Sequence, residues 1–384
     1  MSGQKKGSVA VVGAAESDLG QVAPHTSPAD LMAQATRRAL DDCGLKLSDI
    51  DGIFSATSQI RLSPLALAEY LGIKPSYFDG TIIGGSSFMT HVAHAQAAIE
   101  AGLCQVALIA YGSTQRTVSR SAASAREYNY YESPYKPFLP ASAYALAASR
   151  HMHEFGTTRE QLAEVAVAAR KWALMNPVAW EKEPLTIEQV LKARMVSYPL
   201  TVRDCCLVTD GGGAVIVTSA ERARALKKKP AYVLGCGQST THSSISNMPD
   251  LTTTAALASG KAAYKMAKLA PADVDVLALY DAFTINTILF LEDLGFCKKG
   301  EGGPFVEGGR IAPKGSLAVN TNGGGLSYCH PGMYGLLLLI EAVRQLRGEC
   351  GARQVADCEV AIAHGNGGVL SSQATVILGT GATV

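Results

Sequence analysis

Asn320-Thr321-Asn322-Gly323-Gly324-Gly325-Leu326-Ser327-Tyr328-Cys329-His330-Pro331-Gly332-Met333-Tyr334-Gly335 is the stretch around which the rest of the chain is read. It opens with an Asn-Thr-Asn turn and three glycines in a row, then places one histidine between two tyrosines. Leu336 to Ile340 follow, a run too apolar to face water and so the start of a buried helix. Consecutive glycines let a backbone approach a ligand or another strand, at an entropic cost that a plain loop does not need. Polar, titratable groups at the start of a buried helix supply pre-organised hydrogen-bond donors. No Lys-Ser/Thr follows the glycines here or at Gly211, so neither run is a phosphate loop.

The same grammar occurs earlier. Gly84-Gly85-Ser86-Ser87 precedes a helix over Phe88–Ala101 that Gly102 closes, and Ser86 and Ser87 suit its N-cap. Working outward, the second half of the chain repeats the first. The strand Val9–Gly13 matches Ala231–Gly235. The helix Ala29–Gly44, started by Ser27-Pro28, matches Thr253–Leu269. Each helix leads to an Asp-x-Asp pair (Asp49 and Asp51; Asp273 and Asp275) and then a strand. Val106–Tyr111 matches Cys358–Ala363, and Gly213–Val217 matches Gln373–Leu378. This period is too long for a solenoid. It predicts two α/β halves, each βαβαβ-like, at 1–225 and 226–384, with the glycine turns facing a common interface. From about 114 to 202 the chain is richer in Tyr, Pro, Arg and Lys, and its helices (around Ser142–Phe155 and Thr158–Met175) are amphipathic, as expected of an insertion that covers the core.

Composition narrows the function. Of 384 residues 47% are hydrophobic and 17% charged, which suits a buried α/β sheet. Lys and Arg number 34 against 33 Asp and Glu, so no electrostatic case exists for nucleic acid or an anionic membrane. The Lys227–Lys229 run reads as a solvated helix end or linker. Nine cysteines without a C-x-x-C pair argue against a structural zinc site and for reduced thiols in a cytoplasmic compartment. The short polar start before the first strand is unlike a signal peptide. No apolar run approaches the roughly 20 residues of a membrane helix.

The chain resembles the thiolase superfamily over essentially its whole length. Members carry four active-site loops: a Cys-x-Ser nucleophile loop, Asn-Glu-Ala-Phe, Gly-His-Pro and Cys-x-Gly. The second corresponds to Tyr280-Asp281-Ala282-Phe283, the third to Cys329-His330-Pro331, and the fourth to His364-Gly365-Asn366 before Gly367-Gly368. Asp204-Cys205-Cys206 leading to Asp210-Gly211-Gly212 resembles the sterol-carrier branch. The resemblance implies a five-layer αβαβα core with an inserted loop domain, and a homodimer. The departures decide the activity. The nucleophile loop falls at Gly85, Ser86 and Ser87 with no cysteine, His364 stands for the second catalytic cysteine, and Tyr280 stands for the asparagine. This set, with Tyr334, resembles the lipid-transfer-protein-type aldolases of steroid side-chain breakdown, which cleave β-hydroxyacyl-CoA thioesters by retro-aldol reaction with an OB-fold or zinc-ribbon-type partner. By that resemblance Tyr280 and Tyr334 share the proton transfers, His330 donates to the thioester oxygen, and the N–H groups of Gly367 and Gly368 add donors. The coenzyme A ester is substrate, with no other cofactor and no metal.

Other readings stand beside these. His364 is either catalytic or a filler of the lost cysteine's space, hydrogen-bonded locally. Tyr328 competes with Tyr334 as second tyrosine. Cys329 is a displaced nucleophile or a small packed residue, and His91 and His94 are structural. Acyl transfer through Ser86 or Cys329 is the competing activity. A non-catalytic acyl-CoA or lipid binder is the third reading. The insertion and the Gln238–Leu251 loop are the candidate CoA contacts.

Overall fold

The computed structural model describes residues 4–119 and 130–384; residues 120–129 of the expected insertion lie outside it. The first half supplies β1 (Val9–Glu16), β2 (Gly52–Ser55), β3 (Tyr77–Asp79) and β4 (Val106–Ser113). A small hairpin, β5 (Met195–Ser197) and β6 (Leu200–Thr201), precedes β7 (Gly211–Ser219). The second half supplies β8 (Ala231–Thr240), β9 (Val276–Leu279), β10 (Ala318–Val319), β11 (Val360–Gly367) and β12 (Ser372–Gly379). Strand order is β3-β2-β4-β7-β1 in one half and β10-β9-β11-β12-β8 in the other, the same topology twice. The halves meet where β1 and β8 pair antiparallel, Ala10 with Tyr232 and Val11 with Ala231, so ten strands form one hydrogen-bonded sheet.

Helix α1 (Pro28–Cys43) covers the outside of β1, β4 and β7, and α6 (Ala256–Ala267) covers β8 and β12. Two helices lie inside: α3 (Ser87–Glu100) and α8 (Gly335–Arg347) touch each other, and each packs on strands of both halves. The layers are therefore helix, sheet, paired helices, sheet, helix. The inside position explains α8, whose residues are buried all round except Arg344. The short α2 (Ser63–Leu71) flanks β2, α4 (Ala141–Phe155) and α5 (Arg159–Ala173) come from the insertion, and α7 (Thr284–Asp293) follows β9.

The sequence repeat has identifiable physical causes. Asp49 and Asp273 each cap a 3₁₀ turn, accepting the N–H of Lys46 and of Ala270. Asp51 takes the N–H groups of Gln105 and Val106 at the start of β4, and Asp275 those of Glu359 and Val360 at the start of β11. The paired strand glycines exist because an outer helix presses its backbone on the strand. A Cβ at Gly13 would lie 2.3 Å from Ala39 O, and one at Gly235 2.1 Å from Ala263 O. Ser27 caps α1 in a box with Asp30, a device commonly worth ~1 kcal/mol.

Two local expectations are corrected. Ser86 stands at the N-cap position of α3 but its side chain makes no capping bond, and Ser87 is already helical: Ser87 Oγ accepts the N–H of Ile83 while Ser86 Oγ donates to Ile83 O. β8 does not stop at Gly235 but runs on to Thr240 through a second glycine, Gly237, which meets α6 at Ser259 O. The insertion is tied into the second half: Trp172 Nε1 donates to Ile311 O, Asn176 Nδ2 to Asn322 O, and His151 Nε2 lies 3.0 Å from Glu292 Oε1 of α7. Among the described residues no helix is long and apolar enough to cross a membrane.

Candidate active site

The end of β9 and the loop before α8 bring three rings together. Centroids lie 5.5 Å apart for Tyr280 and His330, 5.8 Å for Tyr280 and Tyr334, and 5.9 Å for His330 and Tyr334. All three side chains are buried at the junction of the halves. The Tyr280 hydroxyl donates to Gly332 O at 2.9 Å and accepts the main-chain N–H of Tyr334 at 3.2 Å. The Tyr334 hydroxyl donates to Asn322 Oδ1 at 3.0 Å. The histidine's backbone is clamped: Gln115 Nε2 donates to His330 O at 2.7 Å, and His330 N donates to Thr209 Oγ1 at 2.9 Å. Tyr111 bridges the next turn, donating to Pro331 O and accepting from Met333 N.

Gly85 faces this cluster with no side chain, and the ring of Tyr280 fills the space. A Cβ at Gly85 would lie 2.0 Å from Tyr280 Cε2 and 2.7 Å from Cζ. Its remaining neighbour is Asn366 O at 2.8 Å. The place where a nucleophile-loop side chain would start is therefore taken by the phenol. Gly335 closes the other side, since a Cβ there would meet Gly85 O at 1.9 Å.

Burial pushes the phenols of Tyr280 and Tyr334 well above their ordinary range; the Tyr334 N–H partly offsets this at Tyr280, and the Asp281 carboxyl adds to it at Tyr334. Asp281 is itself pushed up to about 7 by burial, against the N–H groups of Gly325 and Leu326 that it accepts. The three-glycine turn is built on that carboxylate: a Cβ at Gly324 would lie 2.0 Å from Asp281 Oδ2, and Gly324 has φ of +65°. Burial pushes the Cys329 thiol up to about 12, with Thr209 Oγ1 at 3.1 Å beside it. A thiol held so high is inert as a nucleophile at neutral pH.

Tyr280, His330 and Tyr334 are brought together, with Gly85 against them. Gly367 and Gly368 are near, packed on the nucleophile-loop turn: a Cβ at Gly84 would lie 2.6 Å from Gly367 Cα and 2.8 Å from Gly368 N. Ser86 is fully buried beside Ser372 Oγ at 3.0 Å, and Ser87 serves Ile83; neither has a histidine partner. His364 is a correction. Side chains alternate along β11, and Gly365 is the residue that faces α3, where a Cβ would meet Met89 Sδ and Ser86 Cα. His364 points to the opposite face, packed on Phe290 of α7, and so lies off the Tyr280 cluster, hydrogen-bonded locally. Tyr328 also points away, its hydroxyl donating to Glu16, which Arg344 holds. Sequence reading missed Asp281, Asn322, Tyr111 and Gln115 as supports of the site. Only Asp281 and Asn322 carried a signal, lying inside the quoted motifs.

Three comparisons bear on this geometry. A family model described as "Thiolase C-terminal domain-like" matches residues 237–380. An acetyl-CoA acetyltransferase of Methanothermobacter thermautotrophicus is 34% identical over 94% of this chain and 96% of its own. A 17-hydroxy-3-oxo-4-pregnene-20-carboxyl-CoA lyase of Mycobacterium tuberculosis is also 34% identical, over 89% of this chain and 92% of its own. A solved structure titled "Ltp2-ChsH2(DUF35) aldolase" superposes with a TM-score of 0.88 at 30% identity, covering 98% of this chain and 99% of that one.

Proposed function

The chain belongs to the thiolase superfamily, and from that premise we propose that it is a carbon–carbon lyase that cleaves a β-hydroxyacyl-CoA thioester by retro-aldol reaction. The products are a short acyl-CoA and a ketone or aldehyde. One observation carries the choice of lyase over acyltransferase: the ring of Tyr280 occupies the space of a side chain at position 85. Acyl transfer needs a thiolate there to carry the acyl group. The buried, high-pKa Cys329 does not replace it.

We assign Tyr280 as the base, because its oxygen accepts the N–H of Tyr334, which favours the ionised phenol. Tyr334, whose phenol is pushed up by burial and by the Asp281 carboxyl, serves as acid. The β-hydroxyl proton goes to Tyr280, and the Cα–Cβ bond breaks as the C–O bond becomes a carbonyl. The electron pair passes to Cα and onto the thioester oxygen, which His330 and the N–H groups at Gly367 and Gly368 stabilise. Tyr334 then protonates Cα. The proton gained at Tyr280 then returns to Tyr334 by way of solvent as the products leave, which restores both phenols, so no co-reactant and no prosthetic group is required. Lipid or steroid side-chain catabolism in the cytoplasm is the setting we propose.

The assembly we propose is a homodimer with an OB-fold partner of the DUF35 type. One of the two edge strands, β3, exposes Phe78, and Leu62, Leu65 and Ile82 in the flanking segments are exposed as well, apolar surface suited to a second copy. The test is cleavage of a tertiary β-hydroxyacyl-CoA, with the partner present, by the wild type and Tyr280→Phe. Cleavage abolished in the variant supports the assignment. Equal rates remove Tyr280 from the mechanism, and no cleavage of such a thioester by the wild type removes the lyase.

A further inference from the structure

His364 lies on the face of β11 away from Tyr280, yet a line of hydrogen bonds leads from it back to the site. Ser259 Oγ lies 3.0 Å from Thr375 Oγ1, which lies 2.9 Å from His364 Nδ1. His364 Nε2 lies 3.0 Å from Gln373 Oε1. Gln373 Nε2 donates to Asn366 Oδ1 at 2.7 Å, and Asn366 Nδ2 donates to the Tyr144 oxygen at 2.8 Å. The Tyr144 hydroxyl donates to Gly368 O at 3.3 Å. Every side chain in the line is at most 2% exposed, so water does not compete for these bonds.

The direction of the line is anchored at Gly368 O, which can only accept. Tyr144 donates to it, Asn366 Nδ2 therefore donates to Tyr144 and Gln373 Nε2 to Asn366 Oδ1, so Gln373 Oε1 faces His364 and Nε2 carries the hydrogen. A neutral ring then offers Nδ1 as acceptor to Thr375. A ring protonated on Nδ1 instead would set two acceptors face to face at Gln373. Rotating that amide would move the mismatch to Asn366, and rotating Asn366 would aim its oxygen at Tyr144 and draw the hydroxyl hydrogen off Gly368. The far end matters to the site. Tyr144 stacks on Phe283 with centroids 4.4 Å apart and planes at 26°, and Phe283 ends the segment that begins at Tyr280. Asn366 backs Gly85 through its carbonyl, which would lie 2.8 Å from a Cβ there.

We infer that His364 is a positioning residue: as the neutral Nε2–H tautomer it sets the direction of this line and so holds Tyr144 and the Asn366–Gly368 turn against the Tyr280 site. Burial supports the neutral form by pulling the imidazole down to about 3. The effect on turnover rests on the lyase reading; the tautomer does not.

The test uses the full-length protein with ¹⁵N-labelled histidine. Ring ¹⁵N–¹H correlations, with the His364 signal identified by its loss in His364→Gln, are expected to show a proton on Nε2 and no titration between pH 5 and pH 8. A proton on Nδ1, or a titration in that range, overturns the inference. In turnover, His364→Phe keeps the ring's size without the donor, and kcat is expected to fall roughly tenfold with KM little changed. His364→Gln restores a donor to Gln373 and recovers most of that loss. In a Tyr144→Phe background, His364→Phe is expected to add little; a full tenfold loss there overturns the route through Tyr144. A wild type that cleaves no β-hydroxyacyl-CoA defeats the lyase reading alone, because the ring spectrum still decides the tautomer.

Discussion

Gly85→Ala adds one methyl group where the site has no room. The new carbon would start 2.0 Å from Tyr280 Cε2. Ordinary carbon contacts lie near 3.5 Å, so the ring must retreat by roughly 1.5 Å. The methyl itself has little room to shift, since Asn366 O would stand 2.8 Å away and Gly335 packs on Gly85 O. Overpacking of this kind destabilises by about 1–3 kcal/mol. The retreat also breaks the bonds of the Tyr280 hydroxyl to Gly332 O and from Tyr334 N. A displacement of ~1 Å at a reacting group lowers turnover by about 10²-fold. The assay pairs steady-state cleavage of a β-hydroxyacyl-CoA with thermal unfolding. Tyr280→Phe separates the two effects, because it removes the hydroxyl and keeps the ring. In a Tyr280→Ala background the Gly85→Ala cost in stability is expected to fall, since the nearest obstacle is gone and only Asn366 O at 2.8 Å remains. Wild-type turnover and stability in Gly85→Ala, or the same destabilisation in both backgrounds, would refute the steric argument.

Three further outcomes are expected. Burial raises the Tyr280 phenol above its ordinary value of ~10, so its ionised form is scarce at neutral pH, and log kcat/KM should rise with pH at a slope near +1 through about pH 9; a plateau set near pH 6–7 would point to a histidine base instead. Cys329→Ser should keep turnover within about threefold and mass spectrometry after exposure to acyl-CoA should find no adduct, whereas loss of a true nucleophile would cost several orders of magnitude. His364 is lowered to about 3 in the fold against an ordinary 6.5, so the unfolded chain binds its proton first and stability falls with acid below about pH 6.5. Between pH 7 and pH 5 this group alone accounts for ~2 kcal/mol, and His364→Gln should lose that much less on urea unfolding across the range; an unchanged pH dependence would mean that the ring charges in the fold.

The repeat made the fold legible, because its causes are local. Asp51 and Asp275 serve the same backbone groups in each half, and Gly13 and Gly235 yield to the same helix backbone, so each leaves a mark on the sequence. The Tyr280–His330–Tyr334 cluster was legible for the same reason, each residue lying within a recognisable motif. His364 was not legible as catalytic or as a locally bonded filler, because a strand has a period of two and the motif does not say which of His364 and Gly365 faces α3. Ser86 and Ser87 look like caps from composition alone. Their use for Ile83 follows from where Thr81–Ile83 packs, which His91 fixes by its Nε2 contact with Thr81 O. Tyr111 and Gln115 had no signal: they reach the site across more than 200 residues of chain.

On the proposed mechanism, the inner helices explain why chemistry at this junction passes to tyrosine. Both helix starts converge, α3 at Gly85–Ser86 and α8 at Gly335: a Cβ at Gly335 would meet Gly85 O at 1.9 Å, while one at Gly85 would meet the Tyr280 ring. A reactive group must then arrive from outside the pair. Tyr280 spans the distance from the end of β9 because a phenol is long; a side chain the length of cysteine at 280 would not reach the hydroxyl's position. A nucleophile at 85 and a phenol from 280 are thus alternatives for one volume, and a return to acyl transfer takes two changes at once. Gly85→Cys alone should accept no acyl group, because the ring blocks its Cβ. Gly85→Cys with Tyr280→Asn clears the ring and places a thiol near His330, and incubation with acetyl-CoA should then give an acetyl adduct on residue 85 by mass spectrometry. An adduct on the single variant would show that the ring yields readily, and with it the steric basis for preferring a lyase would fall.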